Sequence, residues 1–283
     1  MISTLDHIIV AVHDLEAATL SWERLLGYRA SWRGGHEAYG TVNSLFRLGN
    51  TYLELLAPVG EDSVLLHRGE WTPGLTGLAF GTENIESAVR DLRERGIVIA
   101  DPQEGEGRDE ATGAVRRWRN AMIDSESANG IFMFLIQHDT PDGLPDAPDA
   151  LMGAAGSPVH ALDHVVVQTG FSERAREFFG PEGLGLRLAL ARDEPKWGGM
   201  MLFFLVGGTT VEVIGKRDDN KVHDTLWGLA WQVRDCAAAQ ARLSTAGFDM
   251  SPVRAGRKSG TQVCTVRDAP EGIPTLIISP DKG

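Results

Sequence analysis

Only two cysteines, Cys236 and Cys264, occur in the 283 residues, so no disulfide framework supports this chain. One sits where a helix is expected to begin and the other in an expected strand, which marks both as buried free thiols. Cysteine spacing of the zinc-finger kind is missing, as are a glycine-rich phosphate loop and a Gly-x-Ser-x-Gly nucleophile elbow. No apolar run is long enough to span a bilayer. An expected strand begins within five residues of Met1, leaving no room for a signal peptide. Positive charge is also scarce. The 27 Lys and Arg against 39 Asp and Glu give a net charge of −12, which argues against nucleic acid or an anionic membrane as partner. What remains is the expectation of a cytoplasmic protein that meets small molecules. Its 42% hydrophobic and 23% charged residues are those of a globular protein, and its length suffices for two domains with separate cores.

What the chain does have is repetition. Leu5-Asp6-His7-Ile8-Ile9-Val10-Ala11-Val12 returns as Leu162-Asp163-His164-Val165-Val166-Val167-Gln168-Thr169. Each copy sets one histidine in an apolar, β-branched run, the composition of a buried strand. Alternation puts His7 on a face with Leu5 and Ile9, and His164 on a face with Leu162 and Val166. A carboxylate follows each at nearly the same distance, 47 positions on at Glu54 and 48 positions on at Glu212, again within apolar strands.

Around these landmarks the chain divides into four units. In the first, Asp14 caps a helix through Leu15, Ala18, Trp22 and Leu25 that Gly27 closes. Extended segments follow near Tyr28–Trp32, Thr41–Leu48 and Thr51–Pro58, with turns expected at Gly34-Gly35 and Gly49-Asn50. The second unit starts at Leu75, has Asn84 as helix cap, and continues in strands near Ala114–Ile123 and Ile131–Gln137. Gly77 and Phe134 hold the places of the histidine and the glutamate. A third unit runs from Leu162 to Glu212 with Ser172 as helix cap. The fourth begins at Leu226, with Asp235 as cap and Gly228 and Leu276 in the polar places. Between the halves, the Pro- and Gly-bearing stretch lacks periodicity and reads as a linker. The expected organisation is therefore a domain over 1–140, a linker over 141–160 and a domain over 161–283.

Four βαβββ units with His on a first strand and Glu on a fourth resemble the vicinal oxygen chelate superfamily, and in particular its glyoxalase-like domain proteins. His36-Glu37-Ala38-Tyr39-Gly40-Thr41-Val42-Asn43, followed by Thr51-Tyr52-Leu53-Glu54-Leu55, looks like a segment of that group, and Ile131–Gln137 looks like its closing strand. The resemblance implies an α+β fold, in which tandem βαβββ modules form two such domains. It also implies a divalent metal (Zn, Ni, Mn, Co or Fe) held by inward His and Glu, here His7, Glu54, His164 and Glu212. Metal-assisted lyase or isomerase chemistry on a small oxygenated molecule follows, by proton abstraction next to a carbonyl. Homodimers are common in such families.

The metal depends on how units pair. Pairing one with two and three with four, or the crossed alternative, gives each cup a single His and Glu, one donor short of the usual catalytic set. Pairing one with three would gather all four ligands on one ion. The plain alternative for each pair is a buried hydrogen-bonded couple that fixes strand register. Glu54 and His36 are the candidate catalytic groups, and His7, His36 and Glu54 together would suit non-haem iron and an extradiol-type dioxygenase. Thr41, Asn43, Trp197 and Arg257 are the candidate substrate contacts. The basic clusters Arg116–Arg119 and Arg254–Lys258 would hold a substrate anion or merely face solvent. Trp197, Trp227 and Trp231 would wall a second cup or lie in the core. His13, His67, His138, His160 and His223 read as surface residues. A function of another class fits as well, a metal-free binder of hydrophobic compounds similar to bleomycin-resistance proteins.

Overall fold

The computed structural model describes residues 1–61, 63, 72–139, 156–197, 199–215 and 223–280, so most of the expected linker and His67 lie outside the described residues. In the first half, β1 (Ile2–Ala11), α1 (Leu15–Leu26), β2 (Trp32–His36), β3 (Thr41–Arg47) and β4 (Tyr52–Pro58) form one βαβββ unit. The next unit comprises β5 (Gly74–Thr82), α2 (Ile85–Glu94), β6 (Gln103–Asp109), β7 (Val115–Met122) and β8 (Phe132–His138). Together their strands close into a barrel of order β1-β4-β3-β2-β6-β7-β8-β5.

The second half repeats the plan with β9 (Ala161–Thr169), α3 (Ser172–Phe179), β10 (Arg187–Glu194), β11 (Gly199–Val206) and β12 (Thr209–Gly215). It continues with β13 (Thr225–Gln232), α4 (Cys236–Thr245), β14 (Arg254–Ala255), β15 (Thr261–Val266) and β16 (Thr275–Pro280). These strands make an eight-stranded sheet of order β10-β11-β12-β9-β13-β16-β15-β14. The architecture is α+β, built of tandem βαβββ modules. No helix among the described residues is long and apolar enough to cross a membrane.

Local chemistry explains most element ends. Asp14, Asn84 and Asp235 accept the backbone N–H of Ala17, Ser87 and Ala238, capping α1, α2 and α4. Gly27 ends α1 in the left-handed region at φ 91°. Ser172 is not a cap; it is the first residue of α3, and Phe171 occupies the cap position with its N–H on the Thr169 hydroxyl. Nor is Gly34-Gly35 a turn. Both glycines lie inside β2, opposite Asn43 and Val42 on one side and Asp109 and Arg108 on the other. A methyl group on Gly34 would overlap the Arg108 carbonyl, so the closure of the barrel at β2·β6 needs glycine there. That neighbour, β6, has the sequence Gln-Glu-Gly-Glu-Gly-Arg-Asp, which shows no apolar alternation.

Alternation sorts the side chains of β1. Ile8 and Val10 face outward into the main core beneath the helices, while Ile9 joins an inner cluster with Leu56, Trp118 and Phe134. The main core is continuous between the two halves, and Trp22 of α1 meets Trp231 of β13 edge-on at 6.1 Å. Trp231 is therefore a core residue, whereas Trp227 is 44% exposed. Cys236 and Cys264 are free and buried.

Register settles how the units pair. In the antiparallel β1·β5 ladder His7 lies opposite Ala79 and Ile9 opposite Gly77. Ile9 is level with Glu54 in β1·β4, as Ala79 is with Phe134 in β5·β8. Gly77 and Phe134 thus occupy the two-fold-related places of His7 and Glu54. The second sheet repeats this, with Ala230 opposite His164 and level with Leu276. Unit one pairs with two, and three with four. His7 and Glu54 belong to one sheet and His164 and Glu212 to the other, so the four do not surround a single ion.

Candidate functional site

Inward positions of β1, β3, β4, β7 and β8 line a cavity of about 160 Å³ in the barrel. Its wall combines His7, His36, Thr41, Asn43 and Glu54 with an apolar face that includes Trp118, Met122, Phe132, Phe134 and Ile136. His7 and Glu54 of the first unit come together here with His36, Thr41 and Asn43.

The polar groups form a connected chain. His138 Nε2 and His7 Nδ1 both contact the Asp6 carboxylate, at 3.0 and 2.7 Å. His7 Nε2 stands 3.3 Å from Glu54 Oε2, and Asn43 Nδ2 donates to Glu54 Oε1 at 2.7 Å. The same amide nitrogen reaches His36 Nε2 at 3.3 Å, and His36 Nδ1 lies 3.0 Å from the Thr41 hydroxyl. An ionised carboxylate only accepts, which fixes the Asn43 amide with its nitrogen toward Glu54. Asn43 Oδ1 is consequently a buried acceptor with no partner. Tyr52 stacks on the His7 ring at 4.5 Å, and Phe134 meets it edge-on at 5.5 Å.

Burial and charge act in opposite directions on this chain. Burial alone would depress the His7 imidazolium, but the carboxylates of Asp6 and Glu54 reverse that and hold its pKa at about 9. Burial would raise Glu54; hydrogen bonding and attraction to His7, with help from His36 and Asn43, bring it to about 2. Asp6 is lowered well below the carboxylate range, since its bonds to His138 and His7 outweigh burial. His36 moves the other way. Burial lowers it, only partly offset by Glu54 and reinforced by Arg116 and His7, so it stays neutral at pH 7. The cavity wall thus carries a charged His7–Glu54 pair beside a neutral imidazole.

These residues do not make up a catalytic metal set. His7 and Glu54 approach each other directly, and the related positions offer Gly77, which has no side chain, and the hydrocarbon ring of Phe134. His36 is turned to Asn43 and Thr41 rather than completing a triad with His7 and Glu54. Among the described residues no group of three or more His, Cys, Asp or Glu is placed to hold a metal ion. The expected four-ligand site and the two-His-one-carboxylate iron site are both corrected by this arrangement.

In the other sheet His164 repeats the geometry, 2.9 Å from Asp163 and 3.3 Å from Glu212. Its electrostatics differ: burial raises the Glu212 carboxyl, against the attraction of His164 and Arg257. Arg257 is exposed and lies outside the barrel cavity, and the side chain of Trp197 lies outside the described residues. Several cavity residues escaped the sequence reading. His138 reads as a surface residue at a strand end, yet it faces the cavity and binds Asp6. Arg116, Trp118, Asn120 and Met122 alternate inward along β7; the first two lie in the basic cluster that the sequence offers as an anion holder or a solvated face, whereas Asn120 and Met122 carry no signal of their own.

Residues 5–179 match a family model described as a glyoxalase-like domain. The chain belongs to this glyoxalase-like domain family. That places it in the vicinal oxygen chelate superfamily. Among curated proteins, methylmalonyl-CoA epimerase of Homo sapiens is 33% identical over 96 residues, covering 33% of this chain and 54% of that protein. An ethylmalonyl-CoA/methylmalonyl-CoA epimerase of Cereibacter sphaeroides is 34% identical over 101 residues, 35% of this chain and 75% of that protein. The chain thus spans about half the length of the human relative it matches. A variant of 4-hydroxymandelate synthase from Streptomyces coelicolor superposes with a TM-score of 0.72 at 18% identity, covering 99% of this chain and 93% of that one. A hypothetical protein from Staphylococcus aureus gives 0.67 at 13% identity, covering 98% and 99%. These structures share the fold of the glyoxalase-like domain protein described here.

Proposed function

We propose that the barrel binds a compact oxygenated organic molecule and moves a proton next to its carbonyl, isomerase-type chemistry carried by side chains. One observation carries this reading: a continuous buried chain of titratable groups forms one wall of an otherwise apolar cavity. His36 is the base. With Nδ1–H directed at Thr41, its Nε2 keeps a lone pair whose only contact is the long one to Asn43. The developing oxyanion is stabilised by the His7 imidazolium, whose Nε2–H has only the 3.3 Å contact to Glu54. Asn43 Oδ1 accepts from a ligand hydroxyl, satisfying the orphaned acceptor. The epimerase relatives support the reaction type, since epimerisation proceeds through loss and return of a proton.

Incubation of candidate carbonyl compounds with the protein in D₂O, followed by ¹H NMR, tests the reading. Deuterium is expected at the carbon next to the carbonyl, with the rate falling about 10²-fold or more in His36→Ala. Exchange that is unchanged in that variant would remove His36 as base. A second reading is favoured by Gly77 and Phe134, which leave two of the four related His and Glu positions of the paired units without a donor. On that reading the barrel only sequesters its ligand, and the same experiment would show saturable binding without exchange.

A further inference from the structure

Arg116 projects inward from β7 into the cavity and is 7% exposed. A guanidinium stays protonated at any working pH, so this is a permanent buried charge. It lies over the faces of Trp32 and Tyr52, 5.5 and 5.6 Å from their ring centroids. Aromatic faces attract a cation but do not replace the hydrogen bonds it lost with water. Its Nε has no partner, and no carboxylate of the described residues stands within ion-pair distance of it. Glu54, the buried acid of the same cavity, is committed to His7 and Asn43. The outward neighbour Arg117 is the contrast, exposed and paired with Glu106.

Burying a charge without its counter-charge is costly; the one neighbour among the described residues that Arg116 hydrogen-bonds is the neutral Tyr52 side chain, and the guanidinium otherwise borders the cavity. We infer that the ligand supplies the missing charge: a compact monocarboxylate whose carboxylate pairs with Arg116 and whose apolar body fills the space against Trp118, Phe132 and Phe134. A planar carboxylate matches the guanidinium fork. The cavity volume of about 160 Å³ is close to the roughly 150 Å³ of an engineered apolar cavity that takes up benzene. The body is thus the size of one six-membered ring or a short branched chain. This rests on the barrel being the ligand site, and it narrows the substrate of the proposed isomerase to an acid.

The test is a titration monitored by tryptophan fluorescence, since Trp32 and Trp118 adjoin the site. Benzoate and cyclohexanecarboxylate are compared with their neutral isosteres, benzamide and cyclohexanecarboxamide. The wild type is expected to prefer each acid over its amide by about 10- to 100-fold, the range for a charge-assisted bond. Arg116→Met is expected to abolish that preference while keeping amide binding, which also reports that the cavity still folds. Arg116→Lys keeps part of the preference, and Arg117→Met on the outer face keeps all of it. Equal binding of acid and amide by the wild type, or a preference that survives in Arg116→Met, overturns the inference. Deuterium exchange on neutral carbonyl compounds without any preference for acids would leave the isomerase reading standing and remove only this one. Failure of all four probes to bind the wild type would remove the monocarboxylate assignment, and exchange activity then decides the isomerase reading separately.

Discussion

Replacing His7 by asparagine is expected to flatten the dependence of folding stability on pH above neutrality. The His7 pKa rises from 6.5 to about 9 on folding. A raised pKa contributes stability that is fully present below 6.5 and is lost as pH climbs through 9. At about 1.4 kcal/mol per pH unit, that contribution is about 3 kcal/mol. Glu54 has the opposite sign. Lowered to about 2, it contributes stability present above 4.5 that disappears as pH falls through 2. Both values describe one set of contacts seen from either partner, so they are not added. The plateau therefore lies between about pH 4.5 and 6.5. Urea denaturation of wild type and His7→Asn at pH 6, 7.5 and 9 isolates the His7 term, because other titrating groups cancel in the difference. The gap between the two proteins is expected to shrink by about 2–3 kcal/mol from pH 6 to 9. A constant gap would mean that His7 is neutral in the folded protein and that the charged pair does not exist.

Other outcomes follow from packing and donor count. Removing divalent metal with a chelator is expected to leave ligand binding unchanged. A Gly77→His, Phe134→Glu, Phe132→Ala variant, which supplies two donors and the room that a side chain at 77 requires beside Phe132, is expected to gain metal affinity by calorimetry. Equal affinity in the wild type would show that two donors suffice. Gly105 lies across from Trp118, where a methyl group would overlap the indole. Gly105→Ala is expected to cost about 1–3 kcal/mol and to shift the emission of Trp118; unchanged stability and spectrum would mean the indole is not held there. Trp22→Ala removes the edge-on partner of Trp231 at the junction of the two halves and is expected to cost about 3–5 kcal/mol. Calorimetry is expected to show one transition for both sheets, and two separated transitions would contradict a continuous core.

The four βαβββ units and the polar residues on their strands are written locally in the chain. Short-range rules sufficed for these: Asp14, Asn84 and Asp235 cap helices through their own side chains, and β1 and β9 announce themselves by a lone histidine among β-branched residues. His7 and Glu54 were legible as candidates because each is a polar residue that recurs within apolar strands, and His36, Thr41 and Asn43 because their segment resembles that of glyoxalase-like domain proteins. Tertiary structure decided everything that depends on which face meets which. The β1·β5 ladder joined unit one to two, and so separated His7 and Glu54 from His164 and Glu212 and set Gly77 and Phe134 across the cavity. Closure of the barrel at β2·β6 recruited a strand with no apolar pattern, turned two glycines from an expected hairpin into a strand, and faced β7 inward. That last step is why Arg116, one of three arginines in a row of four residues, became a buried cation while Arg117 stayed in solvent. Strand period is a local property of the chain; burial is set by the neighbour that covers it.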